Sequence, residues 1–212
     1  MNRRKFLQAG AMSVVFTLNK TKASSEKSQY LPTPTEVEGP FYPINAQKDK
    51  DFDLTRIMGR EHEAMGERIS IVGSVFDLEG QPVEDAIVDL WQANAVGKYA
   101  HPFDPNPAPV DPNFQGWAIV PSGKAGEFRF KTIIPGAYPA SGSWMRPPHI
   151  HFKVTKKGYV DLVTQMYFPE QPLNQVDKLL QRKSQKEQKL MIAQKSNDKP
   201  NSYSYRLFIE KL

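Results

Sequence analysis

From Ile69 onward, apolar residues recur at alternate positions or in short runs, and turn-forming residues break them up. The runs are ISIVGSVFD (69–77), AIVDLWQ (86–92) after the turn LEGQ, and GEFRFKTI (126–133) after PSGKA; HIHFKV (149–154), the basic turn TKKG, LVTQMYF (162–168) and YSYRLFIE (203–210) complete the series. A period of two over five to nine residues places successive side chains on opposite faces and predicts strands. In the last run Tyr203, Tyr205, Leu207 and Ile209 alternate with Ser204, Arg206, Phe208 and Glu210. About seven such strands predict a mainly β fold, an antiparallel β-sandwich. One helix is expected, over residues 176–195, where Leu179, Leu180, Leu190, Met191 and Ile192 are set among Lys, Gln and Glu. Upstream, TPTEVEGPFYP (33–43) packs three prolines and two aromatics into a stretch that can wrap but not fold alone. The pattern divides the chain into an N-terminal segment over 1–23, an extended arm over 24–68 and a sandwich domain over 69–212. The run PNPAP (105–109) reads as a surface loop.

Composition narrows the chemistry. The 212 residues are 39% hydrophobic and 24% charged, enough to bury a core in one domain. There is no cysteine, which removes thiolate nucleophiles, iron–sulfur clusters and disulfides, and leaves His, Tyr and carboxylates as metal ligands. The net charge of +5 is confined to one end: Arg3, Arg4, Lys5, Lys20 and Lys22 precede residue 24 without an acid. The 28 Lys and Arg less those five equal the 23 acidic residues, so the body is neutral and no nucleic-acid partner is expected. The basic end carries Arg3-Arg4, then Phe6-Leu7, a weakly apolar run from Ala9 to Leu18 and the small-residue exit Thr21-Lys22-Ala23. It resembles a twin-arginine export signal, too short in its apolar run for stable membrane insertion, and implies a periplasmic or exported protein.

Candidate chemistry concentrates between Tyr99 and Gln165. In RPPHIHF (146–152) the two histidines, His149 and His151, stand two apart at the start of a strand. They share a face and can reach one metal ion, while Ile150 and Phe152 face the opposite layer. Arg146 stands three residues upstream, placed to steady an anion. Oxygen donors must complete such a site, and Tyr99 in NAVGKYAH and Tyr138 in IIPGAYPA each follow a glycine-containing turn that can aim a side chain. Each, taken singly, also reads as a packing tyrosine.

The ordered succession TPTEVEGPFYP, DLWQANAVGKYAH, PGAYP, RPPHIHF and TQMYF resembles the intradiol ring-cleavage dioxygenases, of the protocatechuate 3,4-dioxygenase type and its iron-bearing subunit. The resemblance implies a β-sandwich enzyme that cleaves a catechol-type substrate with O2 at a non-haem Fe(III), with Tyr99, Tyr138, His149 and His151 as ligands and no organic cofactor. It further implies that Tyr138 takes up a substrate proton, that Arg146 steadies developing negative charge and that Gln165 lies near the substrate. Family members are commonly oligomeric, so a homo-oligomer is expected, with a hetero-oligomer as the other option. The departures are Glu36-Val37 in the arm and the small Ala140-Ser141-Gly142 after Tyr138-Pro139; both bear on substrate choice rather than on the ligands. Trp144 is expected to line the cavity, Trp91 to sit in the core, and His62 and His101 to be exposed and without a role.

Two other readings compete. GSVFDLEGQPVEDAIVDLW on its own looks like the opening hairpin of metal-free transthyretin-like binding modules, in which the tyrosines and histidines would be incidental. A metal-storage or copper site is the other, and two phenols suit Fe(III) better than Cu(I).

Overall fold

A computed structural model describes residues 29–45, 47 and 49–212. The export signal expected over 1–23 lies outside the described residues. Among those described, ten strands and one α-helix are formed: β1 (Arg68–Asp77), β2 (Ile87–Trp91), β3 (Trp117–Pro121), β4 (Glu127–Ile133), β5 (Tyr138–Ser141), β6 (Trp144–Arg146), β7 (His149–Thr155), β8 (Leu162–Tyr167), α1 (Gln185–Met191), β9 (Gln194–Lys195) and β10 (Ser202–Ile209). No helix among them is long and apolar enough to cross a membrane.

Two four-stranded sheets, ordered β4-β1-β10-β9 and β3-β2-β7-β8, form the expected sandwich, and β5 and β6 make a separate hairpin. Pairing is antiparallel except between β1 and β10, which run parallel with Ser70 beside Ser202 and Asp77 beside Ile209. The inner faces meet in one core. Ile71, Val75, Phe130 and Leu207 from the first sheet pack with Val88, Leu90, Ile150, Phe152, Val154 and Met166 from the second.

The second sheet is covered on its outer face as well. There the odd-numbered positions of β2, β3, β7 and β8 project, and Trp91 and Trp117 join Tyr99, Tyr138, Phe41 and Tyr42 in a separate aromatic cluster. The arm supplies part of this cover, and its hydrogen bonds show how it is held. Thr33 donates its N–H to the Phe208 carbonyl at 3.0 Å and accepts the Phe208 N–H on Oγ1 at 2.8 Å; Thr164 Oγ1 donates to the Pro34 carbonyl and the Glu36 N–H to the Val163 carbonyl. The arm thus runs from β10 to the edge of β8 and across the outer face, where the Tyr42 hydroxyl donates to Asp89 Oδ2 at 2.7 Å.

The helix expected over 176–195 is a correction. Only Gln185–Met191 is α-helical, preceded by short 3-10 turns at Pro172–Gln175 and Leu180–Arg182. The Asp177 carboxylate accepts the Leu179 and Leu180 N–H groups and closes a tight turn there. Ser184 then starts the helix afresh with a capping box, its N–H donating to Glu187 Oε2 and its Oγ accepting the Glu187 N–H.

Candidate active site

The four proposed ligands come from three places in the fold and meet on the outer face of the second sheet. His149 and His151 lie on β7, with ring centroids 5.0 Å apart. Both are buried, and the intervening Ile150 and following Phe152 belong to the inner core, as the strand parity predicts. Tyr99 is delivered by a turn and Tyr138 by the first residue of β5, and the turns that precede them pack back to back. Asn94 Oδ1 accepts the Val96 and Lys98 N–H groups at 3.0 Å and folds the turn that presents Tyr99. Gly97, at φ +78°, lets that turn touch the Pro135–Tyr138 segment; a Cβ there would stand 2.5 Å from the Ala137 carbonyl oxygen. The Gly136 N–H donates to the Asn94 carbonyl at 2.9 Å, locking the two turns together. Asp104 then fixes Tyr99 by accepting its backbone N–H on Oδ2 at 2.8 Å.

Ring centroids of Tyr99 and Tyr138 are 5.6 Å apart, those of Tyr138 and His149 5.6 Å, and those of Tyr99 and His151 6.1 Å. The Tyr99 hydroxyl lies 3.1 Å from His151 Nε2. His149 Nδ1 donates to the Pro147 carbonyl at 2.7 Å, which fixes the tautomer and leaves Nε2 as a bare acceptor. That Nε2 is buried and has no hydrogen-bond partner, and the same holds for His151 Nδ1. An orphaned imidazole nitrogen beside two phenols is a costly arrangement unless a cation fills it.

Electrostatics favour the same occupant. Burial, with Arg146 nearby, holds both imidazoles neutral: His149 falls well below the usual histidine range and His151 is pushed down to about 3. Burial likewise raises both phenols, in Tyr99 reinforced by the adjacent Tyr138 and in Tyr138 opposed by Arg146. The residues are therefore neutral by themselves, and a strongly Lewis-acidic cation would ionise the phenols on binding. Two hard oxygen donors and two imidazoles fit a trivalent iron better than a soft monovalent copper.

The structure places Arg146, Gln165 and Trp144 next to this group. Arg146, on β6, is the cross-strand partner of Tyr138. Gln165 and Tyr167, on β8, face His151 and His149 in the register of β7 and β8. Arg146 donates from Nε to Asp177 Oδ2 at 2.8 Å, and from Nη2 to Gln165 Oε1 at 2.7 Å and the Tyr167 hydroxyl at 3.0 Å. Gln165 Nε2 donates to the Val37 carbonyl of the arm. Trp144 is half-buried, 5.4 Å from the Arg146 guanidinium and 5.3 Å from Lys178 Nζ.

Two expectations change. Trp91 is buried, yet on the site side of its sheet: it stacks on His151 at 4.8 Å and 14° rather than joining the inner core. His101 is buried, not exposed, wedged beside Phe41 and Phe103, while His62 is exposed as expected. Asp177 and Tyr167 were not predicted as site residues. For Tyr167 the signal was present, since it alternates with Gln165 on the same strand face; for Asp177, inside an apparently helical stretch, there was none.

Comparison with known proteins adds an independent line. The sequence profile of a family described as Dioxygenase matches residues 37–210. The protocatechuate 3,4-dioxygenase beta chain of Burkholderia cepacia is 40% identical over 158 residues, 71% of this chain and 67% of that protein. Catechol 1,2-dioxygenase 1 of Acinetobacter lwoffii is 33% identical over 154 residues, and there the chain spans about half of the relative's length, 48%. Among solved structures, the dioxygenase domain of a dioxygenase–carbohydrate-binding fusion from Streptomyces sp. SirexAA-E superposes with a TM-score of 0.65 at 25% identity, over 85% of this chain and 99% of that one. The 3-chlorocatechol 1,2-dioxygenase of Rhodococcus opacus 1CP shares the fold, with a TM-score of 0.65 at 22% identity over 84% of this chain and 73% of that one.

Proposed function

Since this chain belongs to the intradiol ring-cleavage dioxygenases, we propose that it opens a catechol-type ring between the two oxygenated carbons, with O2, to a muconate-type diacid. The reading assigns a non-haem Fe(III) to Tyr99, Tyr138, His149 and His151. The observation that carries it is the buried, unpartnered Nε2 of His149 in a ring 5.6 Å from that of Tyr138, which in turn packs on Tyr99. Bound there, the ion supplies the Lewis acidity that makes both the phenols and a catechol acidic.

The protein's own contributions follow from position. Tyr138, cross-strand from Arg146 and less deeply buried than Tyr99, is the phenol oxygen that receives a catechol proton. Arg146 stands beside it as a fixed guanidinium for negative charge developing on the ring, and its planar fork is poorly replaced by Lys. Gln165 ties that guanidinium to the arm. Trp91 stacks on His151 and, with Phe41 against Tyr99 at 5.0 Å, keeps water from the rear of the site.

The visible spectrum and iron content of the purified protein test the reading. A broad tyrosinate-to-Fe(III) band that moves on anaerobic addition of catechol, and is lost with the iron in His149→Ala or Tyr99→Phe, is expected. A colourless protein that stays iron-free after reconstitution refutes it. The relatives are named for protocatechuate, catechol, chlorocatechol and hydroxyquinol, and these four form the substrate screen. The metal-free binding-module reading is not favoured, because the named relatives are enzymes. We propose in addition export through the twin-arginine motif at Arg3-Arg4, tested by cell fractionation with and without a Lys-Lys replacement, and a homo-oligomer, tested by light scattering.

A further inference from the structure

Arg146 is 4% exposed, and its hydrogen bonds are distributed unequally around the guanidinium. Nε is taken by Asp177, and Nη2 by Gln165 and Tyr167. Nη1 has no acceptor among the described residues. The side chain has five N–H donors in a rigid plane, so binding one edge and one end of that plane determines where the remaining two point. Asp177 holds most of this arrangement. It is completely buried, and its two oxygens are engaged differently. Oδ2 accepts from Arg146, while Oδ1 accepts from the Tyr167 hydroxyl at 3.1 Å and from the Leu179 and Leu180 N–H groups at 3.2 and 2.9 Å. The Tyr167 hydroxyl lies against Gln165 Oε1 as well, at 3.1 Å, closing a ring of four side chains.

We propose that Asp177 is the positioning residue of this site: its carboxylate, anchored on the 3-10 turn, orients Arg146 so that the unengaged Nη1 edge meets the substrate. The inference rests on the catechol-cleaving reading above. Three features separate it from an ordinary buried ion pair. The carboxylate engages Nε, and Gln165 and Tyr167 engage Nη2, so Nη1 alone stays available. Its other oxygen is held by backbone N–H groups, so the carboxylate cannot follow the guanidinium if it moves. The hydroxyl that braces the pair, Tyr167, stacks at 6.0 Å on His149, linking the clamp to a proposed ligand. Asp177 has no approach to the substrate itself and acts only through Arg146.

The test compares Asp177→Asn, Arg146→Lys and the double variant with the wild-type holoenzyme, by iron content, visible band, anaerobic catechol titration and steady-state kinetics. Asp177→Asn keeps an oxygen for the Leu179 and Leu180 N–H groups and loses the charge on Nε. The expected result is full iron content, an unchanged tyrosinate band and catechol affinity within about threefold, with kcat reduced about 10- to 100-fold, the scale of a misplaced catalytic group. The double variant should be no slower than Arg146→Lys alone, because groups acting as a unit are not additive. A wild-type kcat in Asp177→Asn, or losses that multiply in the double variant, would overturn the proposal. Should Asp177→Asn fail to fold, Tyr167→Phe, which removes only the bracing hydroxyl, must show the same split between retained affinity and lowered kcat, and a wild-type kcat there overturns it too. A wild-type protein that neither holds iron nor cleaves any catechol would overturn both this proposal and the reading beneath it, and is distinguished by the absence of the band before any variant is made.

Discussion

Gly39 connects the arm to the site through a single close approach, which makes Gly39→Ala a sharp perturbation. Gly39 sits at φ +79°, in the left-handed region, and a Cβ built on it would lie 3.3 Å from Cε1 of His151. The conformation alone costs a non-glycine residue about 1–2 kcal/mol. For a chain of this length each kcal/mol lowers the melting temperature by about 2–4 °C, so the backbone effect should be a fall of about 2–8 °C. The contact adds a second consequence. His151 cannot simply retreat, because its ring is stacked on Trp91 and its Nε2 faces the Tyr99 hydroxyl. Gly59 provides the control, with φ +81° and nothing within 4 Å of its would-be Cβ. Calorimetry should therefore show similar losses for Gly39→Ala and Gly59→Ala, while the tyrosinate band and iron retention under a chelator change only in Gly39→Ala. An unchanged melting temperature in both, or equal iron loss in both, would refute the reasoning.

Elsewhere in the fold, Phe152 is fully buried between the sheets, with Tyr205 at 5.4 Å and Phe128 at 6.0 Å between ring centroids; Phe152→Ala should cost about 3–5 kcal/mol, read from a lowered urea midpoint with unchanged slope. Gly97→Ala would drive a Cβ into the Ala137 carbonyl; the two tyrosine-bearing turns should separate, and retention of normal iron content would contradict that picture. Asp77 accepts the Gln81 and Glu79 N–H groups and pairs with Lys211 at 2.7 Å. Burial would raise its pKa, but the Lys211 and backbone hydrogen bonds outweigh this and hold it below the usual carboxylate value. Its stabilisation is therefore present above the unfolded-state value of about 3.9 and disappears as the pH falls through the lower folded-state value. Asp77→Ala should lose about 1–3 kcal/mol at pH 7, and the gap to wild type should narrow only below about pH 4; a gap independent of pH would exclude the charge as its source.

The inward parity of β1, β4 and β10 is legible because one face of each meets a continuous core, and alternation records that directly. For β2 and β8 alternation was ambiguous: their sheet is covered on both faces, so Trp91 could not be assigned a side from the chain alone. Strand β3 and the β5–β6 hairpin are too short to announce themselves, and the parallel pairing of β1 with β10 joins residues more than a hundred positions apart. At the site, the shared face of His149 and His151 is readable from strand spacing, whereas Tyr99 and Tyr138 each also read as packing tyrosines and only the family resemblance sets them beside the histidines. Asp177 was hidden because Leu179 and Leu180 mimic the spacing of a helix that its own carboxylate interrupts.

The last strand, β10, lies inside its sheet, between β1 and the two-residue β9, and Thr33 of the arm is fastened to its Phe208. During synthesis, then, neither the first sheet nor the seat of the arm can be completed until the C-terminal residues have left the ribosome. Loss of Ser202–Ile209 would remove a central stave of the sandwich instead of trimming its edge.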